Sequence, residues 1–308
     1  MSEQQASGER PVAVPRLAAS VVLLRTAPEG LETLMLLRRA TMAFAGGEWV
    51  FPGGAVDATD AHPDWSGLLQ PAPRPASSSR TDANPPAQSL LVAACRETFE
   101  ESGVLLARHA DGNPCSTELV CALQKERLEL SGSADAFREM LARHGLVLDR
   151  GRLVAWSNWV TPEMAPKRFD THFFVALMPE LQAFDLHSGE SQDARWAPLD
   201  AQQGALGLEP PVTHAPQLFT LCEIAREYAR RGSAQAVLDW ARTQDPVAVM
   251  VKMRREGGRF QGLMPWDDDY ASVPGGSVAC TAALRERLGA FPSSNWVEMP
   301  RKYQLPAD

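Results

Sequence analysis

Apolar and polar side chains that alternate every second residue mark strands, and apolar side chains that recur every three to four residues mark helices. On that basis strands are predicted near 17–25 and 32–38, and a short one at 48–51 runs into Phe51-Pro52-Gly53-Gly54. A helix is predicted at about 89–102, with Leu91, Val92, Cys95, Phe99 and Ser102 along one side. Residues 116–144 read as a helical excursion whose stripe is Leu119, Leu123, Leu128 and Leu130, then Phe137, Met140 and Leu141. Strands return at 153–160, at 171–178 with Phe173, Phe174, Val175 and Leu177, and near 193–197. Helices at about 215–231 and 234–243 follow. A hairpin comes next, Val247–Arg254 and Arg259–Met264, turning at Gly257-Gly258. Strands with helices before and after them predict the α/β class, a sandwich of α, β and α layers around a mixed sheet. Residues 13–205 would hold it, with 206–308 as a helical and hairpin extension. No internal repeat is visible.

The predicted helix ends in Arg96-Glu97-Thr98-Phe99-Glu100-Glu101-Ser102-Gly103-Val104. Taking Glu97 as zero, Glu101 lies near about 40° and Glu100 near about −60° around the axis, so three carboxylates share the face opposite the apolar stripe. Like charges held together repel unless a cation lies between them, and oxygen ligands suit a hard divalent ion such as Mg²⁺ or Mn²⁺. A solvated acidic stripe is the commoner fate of a Glu-rich helix. Two neighbours argue against it here. Gly103 stands where a left-handed helix stop belongs. Upstream, Gly53-Gly54 lets backbone approach a ligand closely.

At these residues the chain resembles the Nudix hydrolases, whose signature reads G-x5-E-x7-R-E-U-x-E-E-x-G-U, with U a bulky aliphatic. Gly54 matches the opening glycine, and Arg96, Glu97, Glu100, Glu101, Gly103 and Val104 match the second half. Thr98 replaces an aliphatic, and Arg96 comes about 28 residues later than a contiguous motif allows. The first Glu of the motif has no clear counterpart: counting from Gly54 gives Asp60, and counting back from Arg96 gives Gln88. The resemblance implies a Nudix-type sandwich with Glu97, Glu100 and Glu101 as metal ligands. Gly53 or Gly54 would offer a carbonyl, and Arg96 would hold Glu100 across one turn. Family members often add an acid from a loop before the last core strand; Glu190 is the candidate here, as metal ligand or general base.

The inserted stretch, about 61–87, is rich in Pro and Ser and poor in bulky apolar residues, the composition of a flexible loop. A substrate-gating or dimer-forming loop is the alternative, with Trp65, Leu68 and Leu69 as its contact residues. A box interrupted in this way resembles the CoA and acyl-CoA diphosphatases of the peroxisomal type. So do Trp156-Ser157-Asn158-Trp159-Val160-Thr161-Pro162 and the stretch from Pro166 to Thr171. A CoA pattern before the box, L-L-T-x-R-[SA]-x3-R-x3-G-x3-F-P-G-G, is met by Leu34, Arg38 and Gly47 but places Leu36 and Ala43 at two other positions. A one-residue gap aligns Arg39-Ala40 instead. This implies hydrolysis of CoA or acyl-CoA to 3′,5′-ADP and (acyl-)4′-phosphopantetheine. Arg38 and Arg39 would meet the 3′-phosphate, and Lys167 and Arg168 the diphosphate. The plain alternative is that these cations balance acids such as Asp170. ADP-ribose, NADH or dinucleoside polyphosphates are the other substrates, and a non-catalytic ligand-sensing or protein-binding scaffold is the reading from another class.

Composition narrows the rest. The 308 residues carry a net charge of −8, which disfavours nucleic acid as a partner. Basic residues after 205, such as Arg226, Arg230 and Arg254, are interrupted by acids, unlike a DNA-reading face. Five cysteines without a C-x-x-C pair suggest neither a disulfide framework nor a zinc site. Residues 1–12 are polar and expected to be disordered, without a signal-peptide core. The apolar run from Leu17 to Leu24 is too short for a bilayer. Leu305-Pro306-Ala307-Asp308 is no peroxisomal address, so a cytoplasmic enzyme is expected. A homodimer contact or a cover for the cleft are the roles open to the C-terminal third. Asp267 to Asp269 are expected to face water.

Overall fold

Strand β1 (Arg16–Ala27) is buried on both sides of its middle stretch, so it has to lie at the centre of the sheet. It pairs antiparallel with β2 (Gly30–Arg38) from Leu24↔Thr33 to Ala27↔Gly30. In the other direction the two strands part, and the chain wedges between them: β3 (Trp49–Val50) pairs with β2, and β4 (Gly53–Ala55) pairs with β1. This fork sets the double glycine at the middle of the sheet. The computed structural model describes residues 11–43, 45–70, 87–129, 133–186, 189–256 and 259–289.

After the box helix α1 (Gln88–Ser102) come a small antiparallel pair, β5 (Ala107–His109) with β6 (Leu146–Leu148), and between them α2 (Thr117–Glu126) and α3 (Ala134–Arg143). Then follow β7 (Val154–Val160), β8 (Phe169–Leu177), β9 (Ser191–Asp200) and β10 (Gly204–Ala205). The last third supplies α4 (Ala215–Arg231), α5 (Ala234–Ala241), β11 (Val247–Met250), β12 (Lys252–Glu256), β13 (Arg259–Leu263) and α6 (Ala282–Leu288). Among the described residues the main sheet has nine strands, in the path β10-β9-β2-β1-β8-β7-β11 with β3 and β4 in the fork. It is mixed: β1 runs parallel to β8, and β7 parallel to β11, while the other pairs are antiparallel.

Alternation divides the sheet's side chains between two cores. Ala19, Val21, Leu23, Leu34, Leu36 and Phe174 pack under α1, α2 and α3. Val22, Leu24, Met35, Phe173, Trp156 and Trp159 pack under α4, α5 and α6. The result is the expected α/β/α sandwich, except that its second helical layer and strand β11 come from residues after 205, beyond the 13–205 expected to hold it. No helix among the described residues is long and apolar enough to cross a membrane.

Three expectations change. Val247–Met250 is not an arm of the hairpin, which begins at Lys252. It joins the main sheet beside β7, because its alternate residues Val247 and Val249 are buried in the second core. The predicted hairpin turn at Gly257-Gly258 lies outside the described residues. The start of the proline-rich insertion is ordered: Trp65 is fully buried against Phe137, donates Nε1–H to Thr59, and Leu69 bridges to Leu148. One large aromatic buried in the core outweighs a loop-like composition. The rest of that insertion, 71–86, is outside the described residues, as is most of the expected disordered start. Leu128, placed in the buried stripe of the helical excursion, is exposed because a 3-10 turn at Arg127–Glu129 interrupts the periodicity.

Candidate active site

The acidic face of α1 does not look out to water. The fork covers it: β4 crosses the helix so closely that a methyl group on Gly54 would lie 2.4 Å from the Glu97 carboxyl carbon. Gly53 adopts φ +157°, and its N–H donates to Glu101 Oε2 at 2.9 Å. Glu101 is only 7% exposed as a result. At the far end Gly103 takes φ +71° and closes the helix onto the Phe99 carbonyl. Arg127, from the helical excursion, donates to the same carbonyl at 3.1 Å, a cation at the helix's negative end. Thr98 fits the aliphatic position because its hydroxyl donates back to the Ala94 carbonyl at 2.7 Å.

Arg96 lies beneath the carboxylates and gathers them. It pairs two-pronged with Asp60, Nε to Oδ1 at 2.9 Å and Nη2 to Oδ2 at 2.8 Å. Its Nη1 donates to Glu97 at 2.8 Å and to Glu100 at 3.1 Å. Asp60 is fully buried and also closes a capping box on Asp57. The ambiguity between Asp60 and Gln88 thus resolves in favour of Asp60: the acid that pairs with the motif's arginine is the one counted forward from the glycine. Gln88 stands at the first position of α1 and donates to the His62 carbonyl instead.

Charge is in surplus here. Burial raises Glu101 to about 8, helped by the neighbouring Glu97 and opposed by the Gly53 N–H and Arg38. Burial and Glu97 bring Glu100 to about 7 against the pull of Arg96, and burial raises Glu97 as well. Burial alone would lower Arg96, but its bond to Asp60 and the surrounding acids raise it, so it stays charged. Glu100 Oε1 is buried with no hydrogen-bond partner. Among the described residues no three acid, histidine or cysteine groups already converge on one point; Glu97 and Glu100 are turned onto Arg96, and Glu101 onto Gly53. The donor set nevertheless fits a hard divalent ion: all oxygen, excess negative charge, and one buried carboxylate oxygen left open.

The other expected residues divide. Arg38 and Glu190 are at the site, joined at 2.7 Å, and Arg38 also lies 3.7 Å from Glu101. Arg39 reaches the rim through its backbone N–H, which donates to the Glu190 carbonyl, and the residue is exposed. Arg168 is not brought there. It is buried and donates to the carbonyls of Thr161 and Ala13 and to Met250 Sδ, so it ties strands together. Lys167 is exposed on the turn before β8, away from any described contact with the carboxylates. Asp170, its suggested partner, is engaged by Asn158 and His172. Arg127 was missed, since nothing in its local sequence marks a helix cap supplied from another element.

The model of the NUDT19 Nudix domain matches residues 11–224 of the chain. The chain belongs to that family. Acyl-coenzyme A diphosphatase NUDT19 of Gallus gallus is 32% identical over 208 residues, which is 53% of this chain and 55% of that protein. The Homo sapiens protein of the same name is 30% identical over 64% of this chain and 61% of its own length. The chain therefore spans less than two thirds of the curated relatives it matches. A crystal structure of a Nudix hydrolase from Alicyclobacillus acidocaldarius superposes with a TM-score of 0.58 at 28% identity, covering 76% of this chain and 97% of that one. In this Nudix chain Gly54, Asp60 and the Arg96–Glu101 stretch lie together in space although the box is divided in sequence.

Proposed function

We propose that the chain is a divalent-metal-dependent diphosphatase that cleaves CoA or acyl-CoA into 3′,5′-ADP and (acyl-)4′-phosphopantetheine. The observation that carries this reading is the carboxylate surplus at the fork, where Glu97, Glu100 and Glu101 meet Gly53-Gly54 with one oxygen unpartnered. The names of the relatives supply the substrate class.

When bound, Mg²⁺ or Mn²⁺ supplies neutralisation of the diphosphate oxygens and a more acidic water. Glu97, Glu100 and Glu101 would hold it, with the backbone of Gly53 or Gly54. Arg96 holds Glu97 and Glu100, the Gly53 N–H holds Glu101, and Asp60 keeps Arg96 in place. Glu190, half exposed at the rim, is positioned by Arg38 to accept the proton of the attacking water. Arg38 and Arg39 face the phosphates of the nucleoside half.

Incubating the purified protein with Mg²⁺ or Mn²⁺ and a panel of CoA, acyl-CoA, ADP-ribose, NADH and dinucleoside polyphosphates tests the proposal. Release of 3′,5′-ADP with 4′-phosphopantetheine is expected. Turnover of ADP-ribose alone would reassign the substrate, and no release from any of them would favour a binding scaffold.

A further inference from the structure

The sheet continues past the box helix as a floor of polar side chains that neither the metal nor the core uses. Ala19 is the register partner of Gly54 on one side and of His172 on the other. Strands lie about 4.8 Å apart, so His172 begins roughly 10 Å from the glycine fork. Alternation with buried Phe174 puts His172 and Asp170 on the face that carries α1. Asn158, across from His172 on β7, donates its amide to Asp170 Oδ1, and His172 Nε2 lies 3.6 Å from the same oxygen. The side chains of His172 and Asp170 are 31% and 30% exposed. Leu17, the register partner of Asp170, is 43% exposed beside them.

The two sides of the fork differ in charge. Towards β2 stands the guanidinium of Arg38, joined to Glu190 and 3.7 Å from Glu101. Towards β8 the charged group on the floor itself, past the exposed Lys167 of the preceding turn, is a carboxylate, flanked by an amide, a leucine and an imidazole whose pKa burial lowers. A phosphate would be repelled there. A chain bearing amide N–H and hydroxyl donors between apolar carbons would be accepted. We propose that Asn158, Asp170 and His172 form the subsite for the neutral, amide-bearing half of the substrate, the pantetheine arm, and that the phosphorylated nucleoside lies on the opposite side of the fork. Asp170 accepts from an amide or hydroxyl of the arm, His172 offers one donor and one acceptor, and Leu17 covers its methyl groups. This inference rests on the CoA reading.

Calorimetric titration of the full chain with Mg²⁺ tests it, using 4′-phosphopantetheine and 3′,5′-ADP as separate probes. Asp170→Ala and His172→Ala should each weaken 4′-phosphopantetheine by about tenfold while 3′,5′-ADP stays within about twofold. His172→Gln should recover part of the loss. Should an alanine variant melt early, Asp170→Asn and His172→Gln carry the comparison. Loss of 3′,5′-ADP binding instead would give the floor to the nucleoside, and unchanged binding of both would remove it from recognition. If the wild type turns over CoA and the variants bind both halves normally, only the subsite falls. If the wild type turns over no CoA and binds no 4′-phosphopantetheine, the CoA reading itself falls.

Discussion

Two buried arginines hold carboxylates on opposite faces of the sheet, and they do opposite work. Arg287, on α6, meets the single carboxylate of Glu223, Nε to Oε1 at 2.6 Å. Its remaining donors reach the carbonyls of Asp245 and Trp156, and Trp156 Nε1–H completes the shell of Glu223. One hydrogen-bonded cation meets one carboxylate, with Arg226 as a further positive charge acting on it, and the hydrogen-bonding capacity of the pair is well used. Arg96 faces three carboxylates, and one oxygen of Glu100 is left without a partner. A balanced pair fixes α4, α6 and β7 to one another. A surplus stores a demand for a further cation. The two arginines are buried alike while Glu97 and Glu100 keep more exposure than Glu223, and the ratio of charges is the difference that marks a site rather than a fastening.

The contrast breaks first at Glu101. Glu101→Gln should lower turnover on the order of a thousandfold, the scale of a lost electrostatic catalytic group, while the metal-free protein melts no earlier than the wild type. A loss under about tenfold would take Glu101 out of the metal set. Arg287→Met should do the reverse, costing about 3–5 kcal/mol in urea unfolding because Glu223 is left buried and unpaired, with turnover per folded molecule kept. A change below about 1 kcal/mol would mean that the pair is not a fastening. The smallest effect is pH dependence. Glu100 and Glu101 have folded pKa values, about 7 and about 8, above the ordinary carboxylate value, so the folded state holds protons that the unfolded state has released. Stability of the metal-free protein should therefore be full below about pH 4.5 as far as these two groups are concerned, and fall as pH rises through 7 and 8. Urea unfolding from pH 5 to 9 should show the decline, Glu101→Gln should flatten it, and a rise across that range would refute the surplus.

Much of the fold, and the acidic half of the site, can be read from the amino-acid sequence alone. The strand positions follow from alternation strong enough to survive burial on both faces, and the three glutamates share a helical face by spacing alone. What stays hidden depends on partners distant in sequence. Asp60 and Gln88 cannot be separated by counting, because only the fold shows which reaches Arg96. Arg168 resembles a phosphate ligand because its partners are carbonyls, which any residue carries. Val247–Met250 is too short to reveal that it continues the main sheet. Trp65 is enclosed by loop-like residues, and its burial depends on Phe137, more than seventy residues later.

Trp65 also changes what the divided box means. The chain is anchored in the core just before the undescribed segment 71–86 and again where α1 begins, so the acid and the arginine that recognise each other are joined through packing and not through their connecting peptide. A sequence pattern with fixed gaps measures the length of that connection, which has no bearing on the chemistry. Relatives with quite different intervening lengths would be recognised better by a bidentate acid–arginine pair lying under a double-glycine strand than by any count of letters between them.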